Sequence, residues 1–231
     1  MKLLKSILFL SFLITNSVFS QSSGDTFVYQ ENFNSKGNWP SGSNDNRELN
    51  VYNGRYYFEH KREKKSWRVS TASYTLDTSK DFELEISIQK ISGVDNSGIS
   101  FLYDFIDENN YKEFGYTASG YFRIAESVSG TYTNIKKWTK SDKIKTGNYG
   151  VNTLKVSKKG STVTFFMNNS SIFSNTFKNF VGKQMALSLY SNQKISIDYI
   201  KAKQKSSSSN NNNNNNNNKT KTIVYDSFYS N

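Results

Sequence analysis

Several pairs of residues in this sequence put a flat aromatic ring next to a charged or polar group. Trp67 precedes Arg68, Tyr103 precedes Asp104, Tyr121 lies two residues before Arg123, and Trp138 precedes Thr139-Lys140-Ser141. An aromatic face offers apolar area for stacking, and a neighbouring charge offers strong hydrogen bonds at its rim. A sugar ring is a ligand that suits both. Aromatic residues make up 15% of the chain, so most of them must be core, and only rings outside the buried alternation are candidates for binding.

The stretch from Glu113 to Ala125 can be carried further. With Ala118-Ser119-Gly120 as a hairpin loop, Tyr116 faces Phe122 and Phe114 faces Ile124 on an apolar face. On the opposite face Thr117 meets Tyr121, Gly115 meets Arg123 and Glu113 meets Ala125. Gly115 leaves room for the Arg123 guanidinium, and Glu113 is diagonally within its reach. The candidate ligand-binding set is therefore Trp67, Arg68, Tyr103, Glu113, Tyr121, Arg123 and Trp138.

Catalytic chemistry has weaker support. Glu83 and Glu85 are alternate residues of one strand pattern, roughly 6.6 Å apart along it, and two carboxylates on one face can flank a glycosidic bond. The bland reading is a solvated strand face. No serine has the setting of a nucleophile elbow, and the only histidine, His60, reads as a surface residue beside Lys61 and Arg62. No glycine-rich phosphate loop is present, so no nucleotide is expected. With no cysteine and one histidine, the usual zinc, haem and iron–sulfur ligand sets are missing. No cofactor is expected. Calcium is the one metal that Asp95-Asn96 or Asp107 to Asn110 could serve, and both segments read first as turns.

The elements that must position these residues are strands. Phe82, Leu84, Ile86 and Ile88 alternate with Glu83, Glu85, Ser87 and Gln89, the period of a half-buried strand. Helical spacing appears nowhere at length. Asn53-Gly54 is the strongest hairpin signal, because both residues tolerate positive φ. Turn residues recur at 93–97, 107–110, 119–120, 129–130, 147–150, 159–160 and 168–169. About a dozen short strands at this spacing predict an antiparallel two-sheet sandwich or jelly roll.

The chain's ends read differently. Lys2 and Lys5, then an apolar run from Ile7 to Ile14, then small and polar residues up to Ser20 make a secretory signal peptide over 1–20. That run is too short to span a membrane, and no cysteine is present to carry a lipid. The expected protein is secreted, periplasmic or at the cell surface, and is not a lipoprotein. The sandwich is placed at 25–203. A Ser/Asn-rich tract within 204–221 buries nothing and reads as a disordered linker. Thr222 to Asn231 (TIVYDSFYSN) echoes Thr26 to Ser35 (TFVYQENFNS), which reads as the start of a second, truncated repeat and of further domains.

Thirty Lys and Arg against nineteen Asp and Glu give a net charge of +11. The plain reading is a lysine-rich solvated surface, and the alternative is attraction to acidic polysaccharide or an anionic envelope.

Asn152-x-Leu154-x-Val156, then Gly160, Val163, Phe165 and Asn168, then Ile195-x-Ile197-Asp198-Tyr199-Ile200 resemble the concanavalin A-like lectin and glucanase superfamily. Laminin G-like and 3-keto-disaccharide hydrolase-like modules of secreted bacterial proteins are the nearest in pattern. The resemblance implies an all-β jelly roll of two large antiparallel sheets, with ligands on the concave sheet or at the loop rim. Laminarinase-type members of the superfamily carry a Glu-x-Asp-x-Glu strand. Glu83 and Glu85 are its closest counterpart here, and no Asp completes it. Fold alone does not fix activity. The expectation is an exported, non-catalytic module for a glycan or cell-envelope polysaccharide, acidic ones included. The alternatives are a glycoside-processing enzyme and a surface repeat for protein contacts.

Overall fold

The computed structural model describes residues 24–37, 39–63 and 66–206, apart from the side chains of residues 67 and 70–72. The signal segment, the Ser/Asn tract from residue 207 and the C-terminal echo lie outside the described residues. Among the described residues fifteen strands follow one another. They are β1 (Asp25–Glu31), β2 (Gly42–Ser43), β3 (Arg47–Tyr52), β4 (Arg55–His60) and β5 (Ser66–Ser73). Next come β6 (Phe82–Gly93), β7 (Gly98–Asp107), β8 (Asn110–Thr117), β9 (Tyr121–Val128) and β10 (Thr131–Lys140). The last five are β11 (Val151–Lys159), β12 (Thr162–Met167), β13 (Ser170–Thr176), β14 (Gln184–Tyr190) and β15 (Gln193–Lys205).

All pairings are antiparallel, in two sheets. The nine-stranded sheet runs β13-β12-β11-β6-β15-β4-β3-β2, with β1 on the second half of β15. The six-stranded sheet runs β10-β9-β8-β7-β14-β5. The fold class read from the sequence holds.

The period of two explains the layering. On β6 the apolar set Phe82, Leu84, Ile86 and Ile88 is buried, and it packs with Ile99, Phe101, Phe114, Tyr116, Phe122 and Ile124 of the six-stranded sheet in one core. Each such side chain removed from water contributes about 1.5–3 kcal/mol. In a chain without cysteines this burial is the main source of stability. The Asn53-Gly54 turn joins β3 to β4 with both residues at positive φ, 50° and 67°, as the dipeptide requires.

Two expectations need correction. β15 continues to Lys205, past the boundary placed at 203, because Gln204 turns inward and exchanges hydrogen bonds with the backbone of Asp77. His60 is not a surface residue. It shares the inward face of β4 with Tyr56 and Phe58, is fully buried, and accepts the Arg62 amide on Nδ1 at 3.0 Å.

Candidate functional site

With one face of the six-stranded sheet in the core, its other face carries the alternate residues. One cross-strand row runs Arg68 on β5, Ser188 on β14, Ser100 on β7, Gly115 on β8 and Arg123 on β9. Four inter-strand steps of about 4.8 Å put the two arginine backbones about 19 Å apart. Two serines and a glycine between them make a low floor. Over that floor lies a groove of about 510 Å³ to which all six strands contribute. Tyr111 and Glu113 come from β8, Tyr132 and Trp138 from β10, and Tyr190 from β14. Asn96 and Ser97, from the turn between β6 and β7, line it as well.

Glu113 organises one end. The residue is 4% exposed. Oε1 accepts hydrogen bonds from Ser100 Oγ and from Arg123 Nη2, each at 2.7 Å, and Oε2 accepts the Tyr132 hydroxyl at 2.7 Å. A buried carboxylate is tolerable only when its lone pairs are met in this way. Burial, reinforced by the Glu113 charge, pushes the Tyr132 phenol well above its ordinary range, so this donor keeps its proton.

The Arg123 guanidinium lies 4.5 Å from the ring centre of Trp138 and 5.2 Å from that of Tyr132, within the range of cation–π attraction. Trp138 reaches from β10 over the glycines of two other strands. A β-carbon at Gly115 would stand 3.6 Å from its Cη2, and one at Gly98 would stand 3.9 Å from the same edge. Trp138 is still 38% exposed, so part of the residue is open to a ligand. At the other end, the Arg68 guanidinium lies 5.0 Å from the Tyr111 ring centre, with Nη2 3.4 Å from the Tyr111 hydroxyl.

The hairpin register read from the sequence is the register found, residue for residue. Of the candidate residues, Arg68, Glu113, Arg123 and Trp138 line the groove together. Three do not. Tyr103 is corrected to a core residue: it shares the inward face of β7 with Ile99 and Phe101, is 2% exposed, and packs near Phe165 and Phe180. Tyr121 is on the groove's sheet face but outside its lining, under the Lys140 ammonium at 4.8 Å. Trp67 is placed on β5 opposite Leu189, and its side chain is outside those described. The space above Gly115 is also used differently from the expectation. The Glu113 carboxylate and Ser100 hydroxyl fill it, and Arg123 stacks beside them.

Tyr111, Tyr132, Tyr190 and Ser100 were missed. Tyr111 has a parity that the hairpin register supplies, since it faces Ser127, whereas Tyr132 is on β10, outside that hairpin. Ser100 and Tyr190 enter through β7 and β14, whose pairing joins segments far apart in sequence.

Glu83 and Glu85 belong to the nine-stranded sheet. Glu83 meets Lys155 at 3.5 Å and Ser157 at 3.2 Å, and Glu85 accepts the Tyr199 hydroxyl at 2.8 Å. The loop acids have structural partners too. Asp95 pairs with Lys90, and Asp107 accepts the Asn109 amide and the Asn110 side chain. Among the described residues, no three His, Cys, Asp or Glu gather where they could hold a metal ion. No described helix is long and apolar enough to cross a membrane.

Solved structures with the same architecture place it. An endo-β-1,3-glucanase from Pyrococcus furiosus superposes with a TM-score of 0.53 at 8% identity, covering 79% of this chain and 95% of the other. The fold is a concanavalin A-like jelly roll. The CBM2 module of the evolved Dit protein of Lactobacillus casei BL23 phage J-1 also gives 0.53, at 10% identity over 80% of this chain and 98% of that one. The carbohydrate recognition domain of Emp47p gives 0.51 at 12% identity, covering 81% and 100%. At these identities the jelly-roll likeness shows the fold alone. No protein-family model matches the sequence. No curated protein matches it either.

Proposed function

We propose that this jelly roll is an exported, non-catalytic carbohydrate-binding module whose site is the groove on the six-stranded sheet. The observation that carries the reading is the groove's make-up. All six strands contribute to it, and a partly open Trp138 and two stacked arginines stand over a floor of serine and glycine. Trp138 supplies the stacking face, and the serine hydroxyls and guanidinium N–H groups supply hydrogen bonds to sugar hydroxyls. A CBM2 module and a carbohydrate recognition domain among the structural neighbours support the ligand class.

Glucanases share the fold, so hydrolysis is the reading to weigh against it. Glycoside hydrolysis uses two carboxyl groups flanking the scissile bond. Glu113 is the one carboxylate among the groove's described lining residues, and three donors already engage it. The Glu83 and Glu85 pair lies on the other sheet. The charge pattern of residues 1–20 supports export, and the echo at 222–231 supports repeated modules, which would add avidity to a weak site.

A glycan array probed with the whole chain, with Trp138→Ala and Arg123→Ala variants alongside, tests the reading. Signal for at least one glycan class, lost in both variants while their folds persist, is the expected result. A panel of neutral and acidic glycans that gives no signal would sink it in favour of a protein-contact role.

A further inference from the structure

The cations at the two ends of the groove's floor are unequally neutralised. Arg123 is paired with Glu113 at 2.7 Å. That carboxylate also accepts the hydroxyls of Ser100 and Tyr132, so its charge is spent at the Arg123 end. Among the described residues Arg68 has no such partner. The acid paired with it is Glu108, 3.9 Å away and itself 37% exposed, an arrangement in which ion pairs contribute little. Its contact with the Tyr111 hydroxyl is long, at 3.4 Å. Its buried Nε–H has no acceptor among the described residues, but neither has that of Arg123, so the two ends differ in how their charge is met.

A guanidinium carries five N–H donors in a planar fork, and the Arg68 side chain is 24% exposed, so an incoming acceptor can meet the donors that face the groove. The Tyr111 ring, stacked at 5.0 Å, holds that fork in place, so little side-chain freedom remains to be lost on binding. A neutral hydroxyl can meet the N–H groups but leaves the charge as it was. An oxyanion meets both, in the bidentate geometry for which the fork is shaped.

We infer that Arg68 is the specificity residue of the groove, and that it binds an oxyanion carried by the sugar, the carboxylate of a uronic acid or a sulfate ester. The inference rests on the glycan-binding reading of the groove and adds the class of glycan. Tyr111 positions the guanidinium, and Trp138 stacks on a neighbouring sugar ring.

The test is calorimetric titration of the whole chain with matched ligand pairs. One pair is a short galacturonate oligosaccharide and its methyl ester; the other is a sulfated disaccharide and its unsulfated parent. The charged member of at least one pair should bind about tenfold tighter or more than its neutral match, and the pair that discriminates identifies the oxyanion. Arg68→Gln should erase that preference, and Arg68→Lys should restore part of it. Lys159→Gln, which removes an exposed charge from the nine-stranded sheet, should leave it intact. Equal affinity for charged and neutral ligands, with Arg68→Gln silent, overturns the inference and leaves the groove as a neutral-glycan site. A preference weakened equally by Arg68→Gln and Lys159→Gln overturns it too, because diffuse charge then accounts for it. If no saccharide of any kind binds, the underlying reading fails as well.

Discussion

Glu113 and Gly115, two residues apart on β8, share one small volume: a β-carbon at 115 would stand 2.9 Å from Oε1 of the Glu113 carboxylate. The same β-carbon would be 2.9 Å from Ser100 Oγ, which donates to that oxygen. The glycine is thus a packing requirement of the carboxylate. Gly115→Ala must displace the Glu113 carboxylate and the Ser100 hydroxyl from each other, whereas Trp138, at 3.6 Å, is at ordinary contact distance. Overpacking of this kind costs about 1–3 kcal/mol. Urea denaturation should show a loss in that range, with weaker groove binding; an unchanged midpoint would mean that the carboxylate relocates freely.

The carboxylate itself can be tested by a cycle. Glu113→Ala leaves the Arg123, Ser100 and Tyr132 donors without their acceptor, and breaking a buried ion pair from one side costs about 3–5 kcal/mol. Arg123 is partly solvated, so a loss nearer the lower end, about 3 kcal/mol, is expected. Adding Arg123→Ala should cost less than the sum of the single variants, with a coupling of about 1 kcal/mol or more from chemical denaturation. Strict additivity would show that the pair is energetically idle.

This pair was legible in the sequence because a three-residue loop fixes hairpin register and register fixes faces. Gly115 against Arg123 and the diagonal from Glu113 to Arg123 follow from that alone. Tyr103 misleads because its neighbour Asp104 suggests an open rim, whereas Ile99, Phe101 and Tyr103 alternate with Ser100, Leu102 and Asp104 and the period of two turns the ring inward. Trp138 belongs to a strand whose pairing with β9 is interrupted by two bulges, which no count of residues across the hairpin reproduces. The alignment of Arg68 with Arg123 passes through β14, more than a hundred residues from β5, and only the assembled sheet reveals it.

Tyrosine burial sets an alkaline limit on stability. Burial raises the phenols of Tyr29, Tyr74, Tyr116, Tyr132 and Tyr199 above their ordinary value of 10.0, with Glu113 adding to the shift at Tyr132 and Glu85 at Tyr199. A folded-state value above the unfolded one means that the native chain holds protons the unfolded chain releases. Their contribution is complete below pH about 10 and is lost as pH rises beyond it. Melting temperature should therefore stay level from about pH 7 to 9 and fall steeply by about pH 11. Tyr132→Phe should make that fall shallower; a flat profile through pH 11 would contradict the assignment.

Lys90 offers a way to separate groove shape from fold stability. It is 1% exposed on β6, donates to the Gly93 carbonyl at 2.8 Å and pairs with Asp95, so it pins the turn that carries Asn96 and Ser97 to the groove. Gly93 makes the turn tight, since at φ 94° a β-carbon there would be 2.4 Å from the Asn192 carbonyl oxygen. Lys90→Met keeps a long flexible side chain in the buried space and removes the ion. Asp95 is 55% exposed and can be solvated without its partner, so the global penalty should stay within about 1 kcal/mol. The turn loses its anchor, and glycan affinity should drop severalfold while the melting temperature barely moves. Hydrogen exchange checks the cause: the Val94 amide, which donates to the Asn192 carbonyl, and the Ser119 amide, which donates to the Asp95 carbonyl, should exchange faster in the variant than in the parent. A variant that melts far earlier and exchanges faster everywhere would instead make Lys90 a core support with no separate bearing on the groove.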